Sequence, residues 1–127
     1  MAAASDFHLV PRQQIAQTVG AMAPDTQQKF LAVLKPLFPE GATLRVVKGT
    51  EPDTSGGELF RVRIDWANDA INLRIPRQFV DDHRHGTASS QKELEEQLAA
   101  FVRDRREAFK PNPGPRLRPV VVWTFPA

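Results

Sequence analysis

The chain has 127 residues, a net charge of +2, 41% hydrophobic and 25% charged residues. That is the size and composition of one globular domain, not of a disordered chain. So small a charge does not argue for nucleic acid even with a pI near 9.4, and a chain without cysteine has no disulfide framework, thiolate nucleophile or zinc knuckle.

The opening Met1-Ala-Ala-Ala-Ser-Asp-Phe-His8 has no basic stretch leading into an apolar core. The expectation is therefore no signal peptide, no membrane partner and a cytoplasmic location. Residues 1–10 read as a flexible lead-in, and residues 11–109 as a single α+β domain. Pro11 suits the first turn of a short helix with Ile15, Val19 and Met22 on one stripe, closed by Gly20 and Pro24. Asp25 or Thr26 can cap a second helix from Gln27 to about Lys35. Its apolar residues Phe30, Leu31, Val33, Leu34, Leu37 and Phe38 cover a wide arc, which reads as core. Pro36 should end or kink it near Lys35.

Thr43–Lys48 reads as a strand with Leu44 and Val46 inward and Arg45 outward. Gly49–Gly57 has loop composition throughout, and no Lys-Ser/Thr pair follows to make it a phosphate-binding loop. In Glu58–Trp66, Phe60, Val62, Ile64 and Trp66 alternate with Leu59, Arg61, Arg63 and Asp65. In Ile71–Ile75, Ile71, Leu73 and Ile75 alternate with Asn72 and Arg74. This period of two marks a half-buried antiparallel hairpin turning through Ala67-Asn68-Asp69-Ala70.

The preferred register sets Trp66 opposite Ile71, Ile64 opposite Leu73 and Val62 opposite Ile75, with Arg63 facing Arg74 outside. That register goes with a two-residue turn; a four-residue loop would keep the faces but pair Arg61 with Arg74. Both make two arginines neighbours. Arg45, Arg61, Arg63 and Arg74 are accordingly the candidate site on the sheet face, for an anion or an acidic partner, set against the simpler reading of a solvated face.

Arg77–Gly86 reads as a helical turn. Asp81, His83 and His85 within it are weak metal candidates, because on a helix the two histidines diverge by roughly 200°. The plainer reading is a solvated helix end. Ser90-Gln-Lys-Glu93 is a capping box opening the longest helix, to about Phe109, with Leu94, Leu98, Phe101, Val102 and Phe109 on its apolar stripe. Arg105 lies in mid-stripe and should snorkel past Phe101 and Phe109 to water.

The order helix–strand–strand–strand–helix over about residues 25–109 resembles that of double-stranded-RNA-binding domains. The stretch in the place of that family's lysine-rich phosphate grip, Ser90–Glu96, is acidic, so no RNA-binding residue is carried over.

Residues 110–119 form a proline-rich linker, and residues 120–127 a C-terminal strand with no charge. Left unpaired, such a strand invites aggregation, so it should dock on its own sheet or on a partner. Val121, Trp123 and Phe125 are its docking residues. Ten extended residues reach ~30 Å, enough to run back along the last helix and return the tail as a fourth strand.

The expected fold is α+β: a three- or four-stranded antiparallel sheet with two main helices on one face, in the order α-α-β-β-β-α-β. No catalytic set emerges. Asp81-Asp82 and Glu95-Glu96 are adjacent rather than convergent, and Ser55, Ser89 and Ser90 sit in turns or caps. No cofactor is expected. The functional expectation is a non-enzymatic protein-binding module (an adaptor, inhibitor or regulatory subunit) whose partner is another protein, or a second copy through the C-terminal strand. The alternative is nucleic-acid or polyanion binding on the arginine face.

Overall fold

The computed structural model describes residues 21–111, 114 and 119–126. The expected lead-in, the body of the helix from Pro11, and most of the proline-rich linker lie outside them. Met22, at the end of that expected helix, is buried in the core.

Pro24 opens a helix rather than closing one. Helix α1 is Pro24–Leu34, with Pro24 in its first turn and no side chain capping it. A proline has no N–H to lose there. Asp25 and Thr26 fall inside the first turn instead of capping. Pro36 does end the α-helix: Lys35–Leu37 tightens into a 3-10 turn.

Strand β1 is Thr43–Val46 and β2 is Glu51–Pro52; β3 is Glu58–Trp66 and β4 is Asp69–Pro76. Both β1 and β2 pair antiparallel with β3, on the same side of it. Their registers differ by two residues, Thr43 facing Asp65 but Glu51 facing Leu59. They are one strand interrupted by a bulge over residues 47–50, where Gly49 takes φ +85°. The expected all-loop Gly49–Gly57 is corrected here: its Glu51-Pro52 belongs to the sheet.

The hairpin follows the second of the two registers. Phe60 faces Ile75, Val62 faces Leu73, Ile64 faces Ile71, and Arg61 faces Arg74. Arg63 faces Asn72, not Arg74. The four-residue loop expected with that register is corrected: the loop is Ala67-Asn68 alone, with Ala67 at φ +56°, and Asp69 and Ala70 already belong to β4. A shift of two residues preserves both faces, so apolar still meets apolar.

Helix α2 is Arg77–Arg84 and α3 is Ala88–Ala108. Thr87, not Ser90, caps α3: its hydroxyl oxygen accepts the Ser90 N–H at 3.2 Å. At Gly86 an added Cβ would stand 3.0 Å from the Asp82 carbonyl oxygen and would press on the Ser90 hydroxyl, so the turn between α2 and α3 is tight for any side chain.

Strand β5, Val121–Thr124, lies beside β4 and parallel to it. Among the described residues the sheet therefore has five strands, in the order β1-β3-β4-β5 with β2 alongside β3. The expected antiparallel sheet is corrected in this last strand. At about 1.5 Å per residue, α3 is ~30 Å long and itself carries the chain back toward the start of β4. Phe109 there touches Trp66 at 5.5 Å between ring centroids. Asn68 in the hairpin turn donates to the Gly114 carbonyl, so the linker passes that turn and the tail enters beside Ile71. A helical crossover is what parallel pairing requires.

The fold is α+β, with the helices on the face that carries Phe60, Val62, Ile64, Ile71, Leu73 and Ile75. One apolar cluster joins that face to Phe30 and Leu34 of α1, Phe79 and Val80 of α2, Leu98 and Val102 of α3, and Trp123 and Phe125. No helix among the described residues is long and apolar enough to cross a membrane. The helical crossover and the parallel fifth strand depart from the order of double-stranded-RNA-binding domains.

Candidate functional site: the arginine face and the β5 edge

The pleat sends Arg45, Arg61, Arg63, Asp65, Asn72 and Arg74 to the side away from the helices. Register brings the four expected arginines together as two cross-strand pairs in adjacent rows: Arg45 beside Arg63, and Arg61 beside Arg74. Directly opposed side chains on an antiparallel ladder stand roughly 5 Å apart at Cβ, close enough for like charges to repel.

The face carries its own counter-ions. Glu51 of β2 reaches both members of one pair, at 3.9 Å from Arg61 and in direct contact with the Arg74 guanidinium. Arg61 also donates to the Lys48 carbonyl at 3.1 Å. Asp65 holds Arg63 at 3.1 Å. Arg45 is exposed and makes no ion pair among the described residues. Sequence reasoning missed Glu51 because its strand is two residues long and embedded in glycine, proline and serine. The bulge that delivers it leaves no periodic signal.

The second feature is β5. Its inner residues point where expected: Trp123 and Phe125 are 7% and 4% exposed, and Val121 packs against the same cluster. Phe125 N–H donates to the Arg74 carbonyl at 2.9 Å. Since backbone groups alternate sides along a strand, the N–H and C=O of Val122 and Thr124 point away from β4. No described strand pairs with them. Val120 and Val122, the exposed large hydrophobics among the described residues at 49% and 45%, lie on this same segment.

Behind that edge, between β5 and the last turns of α3, a groove of about 480 Å³ is lined by Arg105, Ala108, Phe109, Val122, Trp123 and Thr124. Arg105 snorkels as its place in the stripe implies, its guanidinium carbon 4.9 Å from the Phe101 ring centroid. The opposite edge is different. There a bulge that holds Lys48 breaks β1 from β2, and the two strands bear Arg45 and Pro52, features that protect an edge from further pairing.

Comparison with protein-family models, with curated proteins and with solved structures yields no match.

The histidine cluster does not converge. His83 is buried, with Nε2 2.7 Å from Glu95 Oε2, whereas His85 is exposed at the end of α2 and Asp81 pairs with Arg77 at 3.8 Å. Among the described residues no group of three or more His, Asp or Glu side chains is placed to hold a metal ion. The reading of His83 as part of a solvated helix end is corrected: it lies one helical turn beyond Phe79, on the stripe that faces the core.

A smaller cavity of about 350 Å³ opens between the Asp53–Glu58 loop and α2, with Asp53, Glu58, Arg77 and Asp81 on its wall. The Thr50 hydroxyl, donating at 2.8 Å, and the Arg77 guanidinium together hold the Glu58 carboxyl below its ordinary 4.5. The Ser55 hydroxyl acts likewise on Asp53. A carboxyl with a depressed folded pKa stabilises the fold above its unfolded pKa, and that contribution is lost as pH falls through the folded value. Glu58→Gln should therefore lower the melting temperature at about pH 7, and the gap to the parent should narrow and close as pH falls below the ordinary glutamate range. Melting curves across that range test this. A gap constant with pH would contradict it.

Proposed function

We propose that this protein is a small, non-enzymatic, cytoplasmic protein-binding module that takes an extended segment of a partner as a further strand beside β5. The observation that carries the reading is the β5 edge, where the outward N–H and C=O groups of Val122 and Thr124 coincide with two exposed valines. Strand addition draws affinity from such main-chain groups and specificity from pockets for alternate side chains. The groove beneath β5 supplies the pocket, with Trp123 and Phe109 as apolar walls.

Val122→Pro is the direct test. It removes an N–H that points outward and leaves the ladder to β4 intact, and proline is tolerated at such edge positions. A display library of random nine-residue peptides, selected on the whole chain, should return binders that lose at least about tenfold in affinity to this variant. Unchanged circular dichroism would confirm its fold. Binders indifferent to Val122→Pro would overturn the reading.

The second reading is polyanion binding on the outer face, favoured by the two cross-strand arginine pairs. It expects affinity for DNA or RNA that falls with salt and with Arg63→Ala and Arg74→Ala. Glu51 and Asp65 weigh against it, since they already balance much of the charge.

A further inference from the structure

The charges around the β5 edge specify what kind of strand fits there, given that strand addition is the protein's mode of binding. On the outer face Arg74 of β4 stands directly beside Thr124 of β5. Thr124 is short, and no residue from Val121 to Thr124 is charged. A residue added on the far side of Thr124, on the same face, would lie two strand spacings from Arg74, about 9.6 Å. An extended arginine and an extended glutamate reaching toward each other span that gap.

Among the described residues the local charge is short of one carboxylate. Arg61 and Arg74 are direct neighbours, and both are served by the single carboxylate of Glu51. Arg74 reaches across β3 to Glu51, on the side away from β5; a second anion arriving from the β5 side would draw it back and leave Glu51 to Arg61. On the other face of the added strand, the described residues that line the groove include one cation, Arg105, and no carboxylate. Both faces of an incoming strand thus meet positive charge, and a basic strand would be repelled from both.

We infer that the partner is an acidic extended peptide, with an Asp or Glu placed beside Thr124 on the outer face, where Arg74 receives it. The basic outer face and the apolar edge then act on one ligand. The ladder and the valines hold its main chain, and Arg74 selects its sequence.

The test uses the whole chain and the same library of random nine-residue peptides. Binders lost on Val122→Pro should be enriched in Asp or Glu at one position. Replacing that acid by Lys in the synthetic peptide should weaken binding about tenfold, and the Lys peptide should recover on Arg74→Glu. Should Arg74→Glu fail to fold, Arg74→Gln together with the peptide substitution gives the same comparison. Edge-dependent binders with no acidic preference, or with affinity unmoved by Arg74→Gln, would overturn the acidic assignment and leave strand addition standing. A library yielding no edge-dependent binder would overturn both. A homodimer closed through β5, detected by sedimentation and dissolved by Val122→Pro, would overturn the acidic assignment and leave strand addition standing.

Discussion

Removing residues 119–127 should abolish cooperative unfolding. The tail looks peripheral in sequence, set off by a proline-rich stretch, yet its two aromatic rings tie together separate parts of the core. Trp123 stacks on Phe38 at 6.4 Å and meets Phe109 edge-on at 6.1 Å; Trp66 touches those same two rings. Phe125 is wedged between Phe79 at 4.7 Å and Phe101 at 5.2 Å, so that it bridges α2 and α3.

Burying a large apolar side chain is worth about 1.5–3 kcal/mol by transfer alone, and truncating a buried Phe or Trp to Ala costs about 3–5 kcal/mol. Loss of both rings, of the ladder to β4 and of cover for Leu73 and Ile75 approaches or exceeds the 5–15 kcal/mol typical of a whole domain. Trp123→Ala, at about 3–5 kcal/mol, is the milder version, measurable as a shifted urea midpoint with unchanged slope. The truncated chain should show a broad, non-cooperative melt and aggregate. A truncated protein that stayed monomeric with the parent's midpoint would show that β5 is dispensable.

How much of this was legible in the residues varies with the kind of signal. The hairpin strands read correctly because alternation over nine residues from Glu58 is a strong, local pattern. The face of every arginine on them followed at once. Register did not, because Ala67 occupies a left-handed backbone position that composition would assign to Asn68 or Asp69. The missing two-residue strand at Glu51 has the same origin. A bulge is set by the neighbouring strand, so the sequence around it reads as loop. The direction of β5 depends on which end of β4 the helices return to, a property of the crossover and not of the tail. For the candidate site, the four arginines were legible, but their pairing, the Glu51 counter-ion and the groove behind β5 required the assembled sheet.

Two surfaces that are separate in sequence become adjacent in the fold. Arg74 belongs to the hairpin and Thr124 to the tail, fifty residues on, yet parallel pairing sets them side by side. The proposed acidic specificity is thus a consequence of that pairing, which joins the hairpin to the tail.

Substituting His83 should be far more damaging than substituting His85, two residues along the same segment. Its ring is 1% exposed and meets the Phe30 ring at 4.8 Å, tilted by 62°. Its Nε2 bridges to Glu95 on α3 at 2.7 Å, and its carbonyl accepts the Gln91 side chain at 2.8 Å. His83→Ala removes the ring from between α1, α2 and α3 and leaves a hole against Phe30, at a cost of about 2–4 kcal/mol. His85→Ala, two residues along on an exposed helix end, should stay within about 0.5 kcal/mol. Urea midpoints for the two variants make the comparison. If the histidines worked together as ligands of a metal ion, their substitutions would cost alike and a chelator would erase the difference from the parent. If His83 is a packing residue, only His83→Ala should move the midpoint, with or without chelator. His83→Phe should then recover part of the loss, because it restores the ring against Phe30 without the link to Glu95.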